Sequence, residues 1–175
     1  MKIWEVQCDV ANFATIYLRP DTHYKYFLNF SIISNKPDLP PLSGEFSQGL
    51  PIGDFSYIMA GVMAAQRATI ATLPNQLRQE VETFPLSITG HDVGIIRTLN
   101  VVDCLDEGSS EIVRFTDGEV FLVNRYVLRE ALLKETFLFK LPQFLYSRLY
   151  ATEHFYNFIN EQEFTGLKFD LIYEG

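Results

Sequence analysis

Asp117 and Gly118 separate two short runs, Glu111-Ile112-Val113-Arg114-Phe115 and Val120-Phe121-Leu122-Val123, whose β-branched and aromatic residues favour extended backbone. The glycine supplies the positive φ that a tight reversal needs, so this segment reads as an antiparallel hairpin. A chain that commits here to antiparallel pairing is steered toward a layered sheet fold, and other short runs agree. From Lys2 to Phe30 the apolar residues cluster as in strands, with Ile16-Tyr17-Leu18 and Tyr24 to Phe30 on either side of an Arg19-Pro20-Asp21 turn. Ile95 to Leu105 is rich enough in β-branched and aliphatic residues to be a central strand after a break at Gly90-His91-Asp92. Thr136 to Leu141 resumes strand character before Pro142. Leu167, Phe169 and Leu171 alternate with Lys168 and Asp170 as a closing strand with one buried face.

Helical spacing is rarer. Met59, Val62 and Met63 predict a helix within Phe55 to Leu73, and Pro74 suits the first turn of another that pairs Leu77 with Val81 and ends near Phe84-Pro85. Tyr126 to Leu133 has short helical spacing. Thr152 can cap a last helix that buries Phe155, Phe158 and Ile159, with Gly166 as its stop. Residues 35–54 hold Pro37, Pro40, Pro41, Gly44, Gly49, Pro51 and Gly53, so they read as a long loop of the kind often used for binding. The expectation is an α+β fold, mostly antiparallel sheet with a few packed helices, in a single domain over residues 1–175.

Charge narrows the function. Acids outnumber bases 22 to 14, for a net charge of −8, which argues against nucleic acid and for a basic partner. Asp103, Asp106, Glu107, Glu111, Asp117 and Glu119 face only Arg114 within that stretch, and a hairpin would gather several of them. Asp106, Glu107, Glu111, Asp117 and Glu119 are therefore the candidate partner-binding residues. Aromatics at 14% leave rings to spare for a contact surface.

Catalysis finds little support. His23, His91 and His154 fall in a strand edge, a turn and a helix start, and no Gly-x-Ser-x-Gly elbow is present. A hydrolase built on Asp103 or Asp106 is the competing enzymatic reading. No His or Cys spacing suits a metal, and Gly49 and Gly53 precede Asp54 instead of a phosphate-binding Lys, so neither metal nor cofactor is expected. Cys8 and Cys104 lie in apolar stretches, as buried free thiols of a reducing compartment do. With no signal pattern at Met1 to Glu5 and no apolar run of membrane-spanning length, no membrane association and a cytoplasmic location are expected.

Leu99 to Glu111, with Asn100-Val101, Asp103-Cys104, Asp106 and Ser110, resembles the "N-V-x-D-C-x-D-x-x-x-S" core of immunity family eleven of bacterial polymorphic toxin systems, once a domain of unknown function. Three further segments follow in that family's order: Phe137 to Pro142 is similar to its "I-F-R/K-x-P" strand, Tyr150 to Phe155 to its helix start, and Phe164 to Phe169 to its "l-T-G-f-x-F" ending. Leu138 departs from the usual Ile. The resemblance covers roughly residues 70–173, and residues 1–69 share only its general character. It implies an immunity-type domain that binds and neutralises a cognate protein toxin, often a nuclease, by occluding its active surface. No catalytic residues carry over. An adaptor or structural protein for another secreted or phage component is the alternative.

Overall fold

β1 (Lys2–Cys8) is apolar enough to bury Ile3, Trp4 and Val6, and it finds its sheet neighbours at the far end of the chain. In the computed structural model, which describes residues 1–19 and 42–175, β1 runs between β11 (Leu149–Thr152) and β12 (Leu167–Glu174). With β10 (Leu138–Phe139) beside β11, this makes a four-stranded antiparallel sheet. A six-stranded sheet has the order β2 (Ile16–Leu18), β3 (Leu42–Phe46), β6 (Val81–Ile88), β7 (His91–Thr98), β5 (Val62–Gln66) and β4 (Phe55–Met59). It is antiparallel except where β3 runs parallel to β6. β8 (Glu111–Arg114) and β9 (Val120–Arg125) form a separate two-stranded ribbon. The helices are α1 (Arg67–Thr72), α2 (Asn75–Glu80) and α3 (Glu153–Glu161). The α+β class expected from the sequence is the class observed.

Three apolar clusters cover the sheet faces. Between the sheets, Val6, Leu149 and Ala151 meet Met63, Ala65 and Ile96, with Leu77 of α2 and Phe155 and Ile159 of α3. The far side of the six-stranded sheet buries Ile16, Val62, Phe84, Leu86 and Ile95. The far side of the four-stranded sheet buries Ile3, Phe139 and Tyr150 under Cys104, Leu105, Tyr126, Leu128 and Leu133. Strands covered on both faces lose the alternation that marks a half-exposed strand.

That loss explains the largest corrections. Phe55 to Leu73 is not one helix: it is β4, a turn at Gly61 (φ 70°), β5 and the short α1. Val62, Met63, Ala64 and Ala65 are all buried, so their continuous apolar run looks like either element. The helix after Pro74 stops at Glu80, because Val81 turns extended and β6 carries Phe84 and Pro85 against β7. His91 and Asp92 open β7 instead of breaking it, and the strand ends at Thr98. Beyond it the chain makes only isolated bridges, Val101 to Lys140 and Leu105 to Leu128, and Leu99 and Val101 are exposed. Tyr126 to Leu133 holds a single 3-10 turn at Glu130–Leu132. Of the expected 35–54 loop, residues 42–46 are β3. The expected strand at Tyr24 to Phe30, the turn completed by Pro20 and Asp21, and residues 35–41 lie outside the described residues. The Asp117-Gly118 hairpin and the Thr152-capped helix are present: Gly118 has φ 92°, and Thr152 Oγ1 accepts from His154 N.

Beside the apolar cluster between them, the two large sheets share a polar joint. Asp54 receives Thr165 N at 2.8 Å and Thr165 Oγ1 at 2.7 Å on Oδ2, while its own amide donates to Thr165 Oγ1 at 3.1 Å. Phe55 N donates to Thr165 O, and Asp9 N to Gly166 O. Gly166, at φ 93°, lies so close to Phe55 that a Cβ there would sit 2.0 Å from the Phe55 carbonyl oxygen. Only glycine fits the dihedral and the gap together. Gly166→Ala is therefore expected to destabilise the fold by about 3 kcal/mol or more, read by urea denaturation; a loss under about 1 kcal/mol would show that this joint is not close-packed in solution.

Candidate functional site

The β8–β9 ribbon packs its inner residues Ile112, Val120 and Val123 on the cluster that backs the four-stranded sheet. Its other side is apolar and open. Val113 is 40% exposed, Phe115 52% and Phe121 54%, and the two rings meet edge to face at 4.8 Å. Register shifts on either side of Ile112 and Val113 bring this about: Arg114 pairs with Val120 and Val113 with Leu122, which leaves Phe121 as the extra residue beside Phe115. Asp117 and Glu119 are exposed in the turn beside the rings, and Glu111 is exposed at the other end of the ribbon, opposite Arg125. Large rings held in water in a charged frame are a recognised signature of protein contact surfaces.

The five acids singled out from the sequence play different parts. Asp106 closes a turn, with Oδ1 accepting from Gly108 N and Ser109 N and Oδ2 from the Ser109 hydroxyl at 2.9 Å. The hydroxyl bond, with the two amides, holds its pKa below the usual carboxylate range. Glu107 is paired with Arg114 at 2.5 Å and accepts from Gln143 Nε2 at 2.7 Å, and these contacts lower its pKa too. Asp117 Oδ1 accepts from Glu119 N within the hairpin turn. Glu111 and Glu119 are the two whose carboxylates stand open to a partner. Arg125 and Arg129, which lie beyond the counted stretch, return to it: Arg125 Nη2 donates to Ser109 O, and Arg129 forms an ion pair with Asp103 at 3.4 Å. The field is weaker than the sequence count implies, and the aromatic pair, which that count passed over, is the sharper feature. The sequence places Phe115 and Phe121 on either side of the turn, but the register shifts decide that both rings face outward.

The interior holds charged groups that sequence reasoning missed. Arg97 of β7 is 1% exposed and paired with Glu82 of β6. Lys140 is 0% exposed, and its Nζ donates to Leu145 O at 2.9 Å. Burial, aided by the positive charge of Arg97, brings its pKa down to about 8. Glu80, at the end of α2, accepts from Phe137 N at 3.0 Å and Leu138 N at 2.8 Å and so ties the helix to β10; desolvation raises its pKa against those bonds.

Reactive chemistry has poor material. Burial pushes the half-buried Cys8 thiol up to about 12 and the buried Cys104 thiol to about 11, far from the thiolate a nucleophile needs. His91 packs edge-on to Phe46, and His154 Nε2 lies 3.1 Å from Lys134 O. His23 lies outside the described residues. Among the described residues no group of three or more His, Cys, Asp or Glu side chains could hold a metal ion, and no helix is long and apolar enough to cross a membrane. A cleft of about 610 Å³ between β1 and the β4–β5 turn is lined mainly by apolar groups such as Val6, Met59 and Leu149. A second, of about 480 Å³, opens beside the ribbon between Glu107, Glu119, Gln143 and Tyr146.

No family model matches the chain, and no curated protein matches it either. The likeness to the immunity family therefore rests on its four short segments, and the structure gives those segments local reasons. The Asp-Cys-x-Asp stretch is a bridge, a buried thiol and a turn, the Lys of the "F-K" strand is the buried Lys140, and the Thr-Gly pair is the joint with Asp54.

Lys140 carries a pH prediction. In the unfolded chain its amine titrates near 10.5 and in the fold near 8, so between those values the unfolded state holds more protons and stability rises with pH. Lys140→Met removes a buried charge and is expected to stabilise the fold by about 1–2 kcal/mol at pH 7. That advantage should shrink as pH rises from 8 toward 10, read as the difference between the two urea midpoints; a constant difference would show that Lys140 titrates normally.

Proposed function

We propose that this chain is an immunity-type protein that binds a cognate, basic protein toxin, with a nuclease as the best-matched class, and neutralises it by covering its active surface. The single observation that carries the reading is the outer face of the β8–β9 ribbon: Val113, Phe115 and Phe121 exposed together, with Glu111 and Glu119 open at the rim. Aromatic anchors at the centre of an interface supply most of its affinity, and rim carboxylates mainly speed capture of a positive partner. A nuclease surface is positive because it holds phosphates, so the two fields are complementary. The four segments shared with immunity family eleven support the same reading. On this reading the protein acts without catalysis, from a cytoplasmic location where it meets the toxin. The hydrolase alternative is disfavoured by geometry: Asp103 is engaged by Arg129 and Asp106 is committed to its turn.

The test uses the full chain and the toxin encoded next to it. A salt-sensitive complex is expected by calorimetry, with Phe115→Ala and Phe121→Ala each weakening it about 30-fold or more and Glu111→Lys with Glu119→Lys slowing association about tenfold. Because all four positions are exposed, the variants should keep the circular dichroism of the parent. Absence of binding at low salt, or full affinity without both rings, would overturn the proposal.

A further inference from the structure

β12 is the outer strand of its sheet: β1 lies along one side, and no described residue pairs along the other. Proteins ordinarily blunt so long an edge with proline, a bulge or a lysine that repels a second copy. β12 has no proline, and its register shift lies beyond Leu171, opposite Ile3 and Trp4. From Leu167 to Leu171 the ladder is regular, Leu167 and Phe169 lean on the central core, and Leu171, on the same side of the strand, is 50% exposed. Lys168 and Asp170 project from the opposite side, both exposed.

The order of these residues makes the edge complementary to itself. If two such strands run antiparallel about a two-fold axis at Phe169, Lys168 of each copy stands opposite Asp170 of the other, so the pair of opposite charges occurs twice. Leu167 then stands opposite Leu171, and Phe169 opposite its own equivalent. The lysine that would deter pairing is matched by an acid two positions on. A two-fold contact requires this isologous matching of a patch with itself, and directly opposed charges and apolar pairs are the unit of stabilisation between strands.

We infer that β12 pairs with β12 of a second copy of this chain, joining the two four-stranded sheets into one continuous antiparallel sheet. The contact uses none of the ribbon residues assigned to the toxin.

Light scattering on the full chain tests this directly. At high concentration the mass should reach twice the 20.1 kDa of one chain. Lys168→Asp or Asp170→Lys alone sets like charges opposite each other twice and should weaken self-association about tenfold. The double variant K168D/D170K, which restores opposite charges, should recover it. As concentration rises, the outward-facing amides of Leu167 to Leu171 should gain protection from hydrogen exchange. A mass of one chain at every concentration up to about 500 µM, or a dimer indifferent to either single swap, overturns the inference.

Discussion

Apolar clusters on both sides of each large sheet are the constraint from which the rest of this molecule follows. A sheet with one wet face can offer that face to a partner, but here the central cluster and the two outer clusters take up much of all four, and exposed positions such as Thr83 and Ser87 of β6 carry small polar groups. What remains for recognition is the outside of the small ribbon and the margins of the sheets. The ribbon can be sacrificed to contact because its own inner residues anchor it, and because its turn is fixed by Gly118 and Asp117 and needs no partner to hold its shape. Pre-formed rings lose little freedom on binding, which suits the proposed role of an inhibitor that acts on first encounter.

The charged groups divide along the same line. Inside, Arg97 with Glu82, Lys140 with a main-chain carbonyl, and Glu80 with two main-chain amides tie one layer to the next. Such groups specify which surfaces meet more than they add stability, since each carries a desolvation cost. Outside, the carboxylates of Asp106 and Asp117 are bound into turns and that of Glu107 into an ion pair. The excess negative charge of the sequence is thus largely structural around the ribbon, and two of the five singled-out acids are open to a partner.

What could be read from the sequence was what short-range physics decides alone. The Asp117-Gly118 reversal and the Thr152 cap need only neighbouring residues, and both were legible. Phe55 to Gln66 was not, because Met59, Val62 and Met63 satisfy a helical spacing and a doubly buried strand equally well, and the choice is made by pairing with β7 some thirty residues on. The same holds for Leu171: alternation places it inward, yet it stands exposed on the edge strand, past the core contacts that Leu167 and Phe169 make. At the candidate site, charge counting found the right hairpin for an incomplete reason. Arg125 and Arg129 come back to the acids only once β9 has folded over β8, and the exposure of the two rings depends on bulges that no local pattern announces.

The placement of β1 has a consequence for how the chain acquires its shape during synthesis. Both of its neighbours, β11 and β12, come from residues 149–174, so a nascent chain carries Trp4 and Ile3 without their sheet until those residues have been made. Closing so large a loop is entropically slow, and an apolar strand left waiting is a target for chaperones and for its own kind. The six-stranded sheet, complete by Thr98, can form well before then and give that strand a surface to rest on through Val6.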